Sequence, residues 1–583
     1  MRKKIYVLAM AVTVLTAGCS KQGTETTKDD VTTNNGNVAT EETTSDSNAQ
    51  TEGIGYGYGG ELKVKVTMEK DKIVDLELVS NNETNVVIDR AWPVIKERIM
   101  EAQSPIVDSV SGATFSSYGV KTAVAEVLRA NGQDIEAITF TTQGPETEKK
   151  ELETVETQVV VVGGGPAGLS AAIEAKQNGV ENVIVIEKLD ILSGNGKFDL
   201  DFVDLINSKA QKENGIEDTV EDFVKYLKET KKAWDSDERI LAQAEGSYKL
   251  DEWLREQGTE LNYNFDTRNH MSEWDRYAGE QIQENMEKKA KELGIDIRTG
   301  TKGLDLIMED GKAVGVKVQQ KNNFYDIKAE AVIVATGGFC SNKELLAKYA
   351  PGTETLQTSN QMGTTGDFIP VFEKYNLALD RMDVTRIFPI INVARRDLTG
   401  GGDGYLFVNK EGKRFIDETK REMELASAIQ SQTDGKIYYI YDQKLYDKTY
   451  RLQKHNKLGY HTKGETLEDL AQKLGIDAEN LKETVKTYNQ AVKGEIPDPF
   501  RETPFTETFN EEGPFYGVQV ESAIHMTRGG VVANEKAQVM TNDGEIVEGL
   551  FAAGEVTATS QAYSAAVIFG RIAGEEAAKL VLK

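Results

Sequence analysis

A glycine-rich segment between an apolar strand and a helix carries the clearest chemical signal in this chain. It spans residues 163–168 (GGGPAG). Gly163 permits a tight turn, Gly165 lets the backbone approach a pyrophosphate, and Gly168 lets the helix pack on the strand. Glu187 follows the next apolar strand, where a carboxylate can accept hydrogen bonds from a ribose and disfavours a 2′-phosphate. The pattern predicts a dinucleotide-binding fold, with these cofactor contacts: Gly163, Gly165, Ala167, Gly168 and Glu187.

Two later segments repeat the order of an apolar strand followed by small residues: 331–338 (AVIVATGG) and 549–557 (GLFAAGEVT). Together with the first glycine segment, they resemble the fumarate reductase and urocanate reductase flavoprotein family. In that family the chain returns to a Rossmann sheet after a substrate-capping insert. The resemblance covers residues 54–583 and implies a non-covalent FAD rather than NAD, with Glu555 binding the ribityl chain. The further FAD contacts that it implies are Asn195, Thr336, Gly337 and Gly338.

A loop of small residues before a helix lies upstream, at 108–114 (DSVSGAT). Read locally, it is a turn with a helix cap. It also resembles the flavinylation motif of FMN-binding domains, in which a separate flavin transferase joins the last hydroxyl to FMN through a phosphoester. The resemblance implies covalent FMN on Thr114, with Asp108 assisting the transferase. Gly112 and Ala113 suit this role because a bulky enzyme must reach the threonine.

The same resemblance implies residues for hydride transfer from FAD to an electron-poor carbon–carbon double bond. Arg421, shortly after the family-like segment 408–418 (VNKEGKRFIDE), is the candidate proton donor. His525, in 525–530 (HMTRGG), is the candidate for binding a substrate carboxylate or carbonyl. Tyr563 is a candidate to polarise a carbonyl oxygen. The residues alone leave alternatives open, namely a solvated cation for Arg421, a structural histidine for His525 and a packed core tyrosine for Tyr563.

Several segments depart from the family pattern, and they change the expected substrate. The loop after Glu555 is about eight residues shorter and lacks the family's arginine that clamps a substrate carboxylate. A dicarboxylate needs two cationic clamps, because each buried carboxylate must be paired. Phe198, Phe388 and Tyr563 add apolar surface. We therefore expect a larger or more neutral unsaturated acceptor, an enoate or an enone rather than fumarate. An FAD site distorted by these changes stays open as the alternative.

The first 53 residues have the pattern of an export signal and a tether. Basic residues 2–4 (RKK) and a short apolar run precede 15–19 (LTAGC), which resembles a bacterial lipobox with Cys19 as the lipidated residue. An ordinary secretory signal is the alternative. The segment 20–53 is polar and lacks large apolar side chains, so we expect a disordered linker. These features predict a lipid-anchored protein on the extracytoplasmic face of the cell membrane, supplied by a membrane electron donor.

Composition limits the other possibilities. The formal net charge of −27 argues against nucleic-acid binding, because a polyanion repels phosphate. With two Cys and four His, iron–sulfur clusters and cysteine-based zinc sites are excluded, and no metal site is predicted.

The predicted fold class is α/β: a Rossmann-type FAD-binding domain with an inserted α+β capping domain, preceded by a small α+β FMN-binding domain. Alternating apolar residues across 62–78 predict a hairpin in the small domain. Two other functions stay open, an extracellular electron-transfer flavoprotein and a ligand-binding lipoprotein with a degenerate FAD site. The predicted boundaries are 1–19 signal peptide, 20–53 linker, 54–142 FMN-binding domain, 155–260 and 501–583 FAD-binding domain, and 261–500 capping domain with embedded strands of the FAD-binding sheet.

Overall fold

The structure, a computed structural model, describes residues 50–145, 148–198, 202–263, 268–273, 276–390, 403–420, 422–560 and 562–583. The predicted signal peptide 1–19, with the predicted lipid anchor at Cys19, lies outside the described residues, as does most of the predicted linker. The linker was predicted to extend to residue 53, but the first strand already begins at Glu52.

The strands in chain order are β1 Glu52–Tyr56, β2 Glu61–Glu69, β3 Lys72–Asn81, β4 Lys150–Glu151, β5 Val155–Val162, β6 Val183–Ile186, β7 Phe202–Asp204, β8 Asn262–Tyr263, β9 Asn269–Met271, β10 Asp296–Arg298, β11 Thr301–Glu309, β12 Lys312–Gln320, β13 Asn323–Val334, β14 Gln357–Thr358, β15 Leu379–Asp380, β16 Thr385–Ile390, β17 Tyr405–Asn409, β18 Ile437–Asp442, β19 Thr462–Gly464, β20 Phe515–Thr527, β21 Gly530–Val531, β22 Gln538–Met540 and β23 Ile546–Ala552. The helices are α1 Asn85–Ala102, α2 Thr114–Ala130, α3 Pro166–Gln177, α4 Lys209–Glu213, α5 Val220–Glu229, α6 Asp237–Glu256, α7 Ala278–Glu292, α8 Lys343–Tyr349, α9 Ile369–Lys374, α10 Glu422–Gln430, α11 Gln443–Lys448, α12 Tyr450–Lys457, α13 Leu467–Leu474, α14 Ala478–Val492 and α15 Tyr563–Val581. Among these described helices, none combines the length and the apolar character needed to cross a bilayer.

The small N-terminal domain is a three-stranded antiparallel sheet in the order β1-β2-β3, packed against α1 and α2. The predicted hairpin is present as β2 and β3. Leu62, Val64 and Val66 are buried at alternate positions of β2, because successive side chains of a strand point to opposite faces. They pack in one cluster with the buried face of α2. The α+β character predicted for this domain is confirmed.

The large domain is built on a sheet in the order β10-β6-β5-β13-β12-β11, with β23 beside β13. Strands β5, β6, β10, β13 and β23 run parallel, as in a Rossmann fold. Val159 and Val161 of β5 pack with α3, α7 and α15 on one face, whereas Val160 and Val162 pack with α8 and α9 on the other. The helices therefore cover both faces, and the predicted α/β fold class is confirmed.

The capping region is a second, six-stranded sheet in the order β14-β20-β18-β17, with β16 and β19 also paired to β20. The predicted boundary at residue 500 cuts through this region, because its longest strand, β20, spans Phe515–Thr527.

Glu418 is fully buried beside this sheet and accepts hydrogen bonds from two arginines. Arg414 donates at 2.9 and 3.0 Å and Arg501 at 3.1 Å.

Candidate active site

The glycine cradle lies where β5 passes into α3. Gly163 has φ +112°, and a Cβ there would stand 2.4 Å from the carbonyl oxygen of Ala335, so the turn needs glycine. A Cβ on Gly168 would stand 1.8 Å from the carbonyl oxygen of Gly163, so Gly168 permits the close approach of helix and strand. Helix α3 begins at Pro166 without a side-chain cap. The N–H groups of the first turn of a helix have no partner within the helix, so they are available to a pyrophosphate.

Glu187 lies at the edge of the same cradle, directly after β6. Its Oε2 accepts a hydrogen bond from the Gly164 N–H at 2.9 Å, and its Oε1 accepts one from the Leu189 N–H at 2.9 Å. These bonds hold the carboxylate in a fixed orientation at the wall of the cavity. A carboxylate has about four lone pairs, so it keeps acceptor capacity for ribose hydroxyls.

One open cavity joins the cradle to the capping sheet, and its empty volume, open solvent included, is about 1400 Å³. Gly168 and Gly338 do not line it but shape its walls, since a Cβ on Gly338 would stand 2.1 Å from Oγ1 of Thr527. The sequence-predicted residues that line the cavity are Gly163, Gly165, Ala167, Glu187, Asn195, Thr336, Gly337, Glu555, His525 and Tyr563. The structure therefore brings together residues from widely separated segments of the chain, and it leaves Thr114 in the small domain.

A polar loop that sequence reasoning missed forms another wall of the cavity. Ser359, Asn360, Gln361 and Thr364 line it. Oδ1 of Asn195 accepts a hydrogen bond from the Gln361 N–H at 2.8 Å, which ties the loop to the 3-10 turn at 194–197. The available signal was the run 358–366 (TSNQMGTTG), in which small polar residues and glycines interrupt the periodic elements.

Glu555 follows β23 and faces the cavity. Its Oε1 accepts hydrogen bonds from the N–H of Thr527 at 2.9 Å and from Oγ1 of Thr527 at 3.2 Å. Burial raises the pKa of Glu555 to about 7, although the hydrogen bonds from Thr527 act in the opposite direction. The group can therefore exchange a proton near neutral pH, and when protonated it can donate a hydrogen bond to a cofactor hydroxyl.

His525 lies near the end of β20, where the capping sheet meets the cavity. Its Nδ1 is 2.8 Å from Oγ of Ser359, and its ring meets the ring of Phe388 edge-on with centroids 5.3 Å apart. Burial, reinforced by the positive charges of Arg451, Arg528 and Arg386, lowers the pKa of His525 to about 4. The imidazole is therefore neutral at physiological pH and has one N–H to donate.

Of the two other predicted catalytic residues, Tyr563 and Arg421, the structure describes only Tyr563. Tyr563 lines the cavity, and its hydroxyl oxygen lies 2.6 Å from Nε2 of Gln283, which donates to it. This bond anchors the ring against α7, so the tyrosine serves at least as a packed wall residue. Arg421 lies outside the described residues.

Thr114 is the first residue of α2 and is exposed to solvent, as is Asp108. Gly112 has φ +93°, which directs the preceding loop into the helix. Aromatic side chains surround this helix end: Phe115 stands edge-on to Phe140 with centroids 4.9 Å apart. A phosphate joined to this hydroxyl would lie at the N-terminus of α2, where the helix dipole favours negative charge.

The cradle, the fixed acid and the long cavity suit an elongated dinucleotide, and the returning strand β23 adds Glu555 to its wall. The capping sheet closes the same cavity from the other side. The fold and site thus define a flavoprotein oxidoreductase in which an FAD-binding domain carries a capping region. A separate, smaller domain precedes it and is assigned to a second flavin.

Comparison with known proteins agrees with this class. Residues 158–565 match the family model described as FAD binding domain, and residues 57–129 match the FMN-binding domain. The urocanate reductase of Eggerthella lenta is 31% identical over 571 residues, which cover 91% of this chain and 92% of that protein. The NADH:fumarate oxidoreductase of Klebsiella pneumoniae is 28% identical over 89% of this chain, and the match spans 57% of that relative's length.

A solved structure titled as the open conformation of a flavocytochrome c3 fumarate reductase superposes with a TM-score of 0.65. It is 32% identical, and the superposition covers 74% of this chain and 79% of that one. The chain belongs to the fumarate reductase and urocanate reductase flavoprotein family, whose members are flavin-dependent oxidoreductases that act on carbon–carbon double bonds. It carries an FAD-binding and an FMN-binding domain.

Proposed function

We propose that this chain is a lipid-anchored, extracytoplasmic reductase that transfers hydride from FAD to the activated carbon–carbon double bond of an unsaturated carboxylic acid other than fumarate. Electrons reach FAD through FMN attached covalently to Thr114. The single observation that carries the proposal is the position of His525: it lines the same cavity as the glycine cradle, so an acceptor held by His525 shares that cavity with FAD.

The FAD site assigns a role to each wall. The turn at Gly163 and the start of α3 would hold the pyrophosphate, Glu187 would hold the ribose, and Glu555 would hold the ribityl chain. When bound, FAD supplies hydride at its reactive ring nitrogen. The protein's contribution is to fix the acceptor against that ring and to exclude water with the capping sheet.

The surroundings of His525 favour a carboxylate over a neutral carbonyl. Three arginine side chains, of Arg386, Arg451 and Arg528, act on the ring with positive charge. A neutral imidazole N–H donates to a carboxylate oxygen, and the contact between Nδ1 and Ser359 holds the ring in place. Phe198, which lines the same cavity, offers apolar contact for the rest of the acceptor. An enoate with an apolar substituent combines both requirements better than an enone does.

Besides the hydride, the reduction takes up one proton, which an acid near the acceptor must donate. The family resemblance assigns it to Arg421, which directly precedes α10 in the sequence. Helix α10 packs against β16 and β20, the strands that carry Phe388 and His525. The packing of α10 on these two strands supports the assignment of its neighbour in the sequence, Arg421.

The location of Thr114 supports a covalent FMN. Its exposure allows a flavin transferase to reach the hydroxyl, and the start of α2 stabilises the negative phosphoester. A covalent link suits an exported protein, where a lost cofactor is not readily replaced. With Cys19 as lipid anchor, the small domain comes first after the membrane tether and is the natural entry point for electrons from a membrane donor.

The proposal is tested with the mature chain coexpressed with a flavin transferase. Anaerobic oxidation of reduced methyl viologen is followed with a panel of enoates, their methyl esters, cyclic enones, urocanate and fumarate, and the products are identified by mass. We expect a saturated acid from at least one substituted enoate, with the ester and fumarate turned over far more slowly. Equal turnover of acid and ester would contradict the carboxylate assignment. No turnover of any alkene would contradict the reductase itself.

A further inference from the structure

The small domain docks on the FAD-binding domain through the loop that carries Thr114. Ser111 lies three residues before Thr114, and Asp190 lies three residues after Glu187. Oδ2 of Asp190 accepts hydrogen bonds from the Ser111 N–H at 2.7 Å and from Oγ of Ser111 at 3.0 Å. In return, Oγ of Ser111 accepts one from the Asp190 N–H at 2.9 Å. One serine and one aspartate thus make three reciprocal bonds between the two flavin loops.

Arg98 of α1 adds to this contact between the two domains. We call the contact made by Ser111, Asp190 and Arg98 the joint. Its Nη2 donates to Oδ1 of Asp190 at 2.9 Å, and its Nη1 donates to the carbonyl oxygen of Ser109 at 3.0 Å. The side chains of Arg98 and Asp190 are 19% and 15% exposed, so water competes weakly for this ion pair. Both oxygens of Asp190 are therefore engaged by the small domain.

Apolar contact seals the same joint. Gly112 lies so close to Ile191 that a Cβ on it would stand 2.9 Å from Cγ1 of that residue. Ile191 belongs to the FAD-binding domain in sequence, but it is buried in the core cluster of the small domain. Rotation of the small domain would have to extract this side chain.

The loop that receives the joint leads directly into the FAD cavity. After Ile191, the Ser193 N–H donates to the carbonyl oxygen of Gly164 in the glycine cradle at 2.8 Å, and Asn195 lines the cavity. A second ion pair braces this loop, since Nε of Arg90 lies 2.9 Å from Oε1 of Glu287, which also accepts a hydrogen bond from Ser193. A continuous bonded path therefore runs from the loop before Thr114 to the cradle.

From this geometry we propose that Asp190 is a positioning residue for electron transfer between the two flavins. It fixes the FMN-carrying loop at one distance from the FAD cavity, and electron-transfer rates fall steeply with distance. In the step, two electrons and two protons leave reduced FMN and reach FAD, so FMN is reoxidised as FAD is reduced. This inference rests on the covalent FMN of the proposed function.

The test compares Asp190→Asn with Asp75→Asn in the mature, flavinylated chain. The amide that replaces the carboxylate in Asp190→Asn places an NH₂ group against either Arg98 or the Ser111 N–H, so one set of bonds is lost while the shape is kept. Asp75 is the matched control, because it is a 58% exposed aspartate of the small domain whose carboxylate pairs with Lys96, away from the joint. Both variants are also made in the Thr114→Ala background, which lacks covalent FMN.

Two readouts are taken. Amide hydrogen exchange of 108–114 and 187–195 should become at least tenfold faster in Asp190→Asn and stay unchanged in Asp75→Asn. Anaerobic stopped-flow reduction by reduced methyl viologen needs no acceptor substrate. In it, the FAD phase should slow at least tenfold in Asp190→Asn, and this effect should vanish in the Thr114→Ala background.

An equal slowing in both backgrounds would overturn the inference, because Asp190 would then act on the FAD site itself. Unchanged exchange or an unchanged FAD phase would overturn it as well. Failure of the proposed function is recognised separately: the unaltered chain would show no flavin fluorescence on a denaturing gel. Hydrogen exchange would still report whether Asp190 docks the two domains.

Discussion

Replacement of His525 by Phe tests the acceptor site most sharply. The variant keeps a ring of similar size beside Phe388, whose ring centroid lies 5.3 Å from that of His525, and it removes both ring nitrogens. His525 is neutral, so it contributes one N–H hydrogen bond to a charged carboxylate. A hydrogen bond to a charged group is worth about 1.5–3 kcal/mol. That energy corresponds to a loss of about 10- to 150-fold in kcat/KM.

Ser359→Ala provides a graded second variant. It removes the partner of Nδ1, 2.8 Å away, and leaves the imidazole in place. Loss of a neutral hydrogen bond of about 0.5–1.5 kcal/mol should lower kcat/KM by about 2- to 10-fold. Both variants should keep the FAD content of the unaltered protein, because neither side chain belongs to the glycine cradle.

The assay is anaerobic oxidation of reduced methyl viologen with the best enoate of the panel, together with FAD content by absorbance after denaturation. If His525→Phe kept full kcat/KM and full FAD content, the assignment of His525 to the acceptor carboxylate would be refuted. A parallel loss of FAD would show that His525 supports the cofactor site instead.

Three further outcomes follow from the same structure. Thr114→Ala should abolish in-gel flavin fluorescence while the FAD content stays unchanged, and persistent fluorescence would move the attachment site elsewhere. Glu418→Gln removes the charged acceptor that Arg414 and Arg501 share, although Asp498 and Asp417 still pair with them, and it should lower stability by about 1.5–3 kcal/mol, seen as a lower thermal midpoint by circular dichroism. Lys482→Ala, which breaks only the exposed pairs with Glu468 and Glu479, is its control and should change stability by less than about 0.5 kcal/mol. Because the pKa of His525 is about 4, His525 should contribute no inflection to kcat/KM near pH 6.5, so any inflection near neutral pH should persist in His525→Phe. His525 should also make folding stability rise with pH from about 4 to about 6.5, since only the unfolded chain holds that proton there.

Local patterns account for the part of the fold that the sequence predicted well. The turn at 163–168 depends mainly on its own backbone, because the φ of +112° at Gly163 requires glycine. The hairpin of β2 and β3 likewise follows from alternation along one short stretch. Such features depend on backbone sterics and on the period of burial, both of which are readable in a few residues.

The remaining features depend on contacts between distant segments. Ser359 meets His525 because β14 pairs in parallel with β20, with Thr358 opposite Ile524. The pairing of β20 with the capping sheet across the predicted boundary at residue 500 has the same origin, since β20 pairs with strands far earlier in the chain. The joint at Asp190 was also unforeseen, because a short loop after the acid of a Rossmann motif gives no sign that another domain binds it.

The expectation about the acceptor needed long-range information too. The missing clamp arginine in the loop after Glu555 pointed toward neutral acceptors as well as acids. The positive charges of Arg386 in β16, Arg451 in α12 and Arg528 in the turn after β20 all act on His525. Their combined charge could not be seen in any one segment, and it supports the proposed acid over a neutral acceptor.

The central claim, a two-flavin reductase, is tested most directly by counting electrons. The flavinylated mature chain is fully reduced with dithionite under anaerobic conditions, freed of reductant, and titrated with the best enoate while the flavin absorbance is followed. Each flavin stores two electrons and each double bond takes two. Complete reoxidation should therefore consume two molecules of enoate per chain, and one in Thr114→Ala. Reoxidation by quinones or ferric complexes but not by any enoate would contradict the account. It would also be contradicted if the unaltered protein and Thr114→Ala each consumed one molecule of enoate per chain.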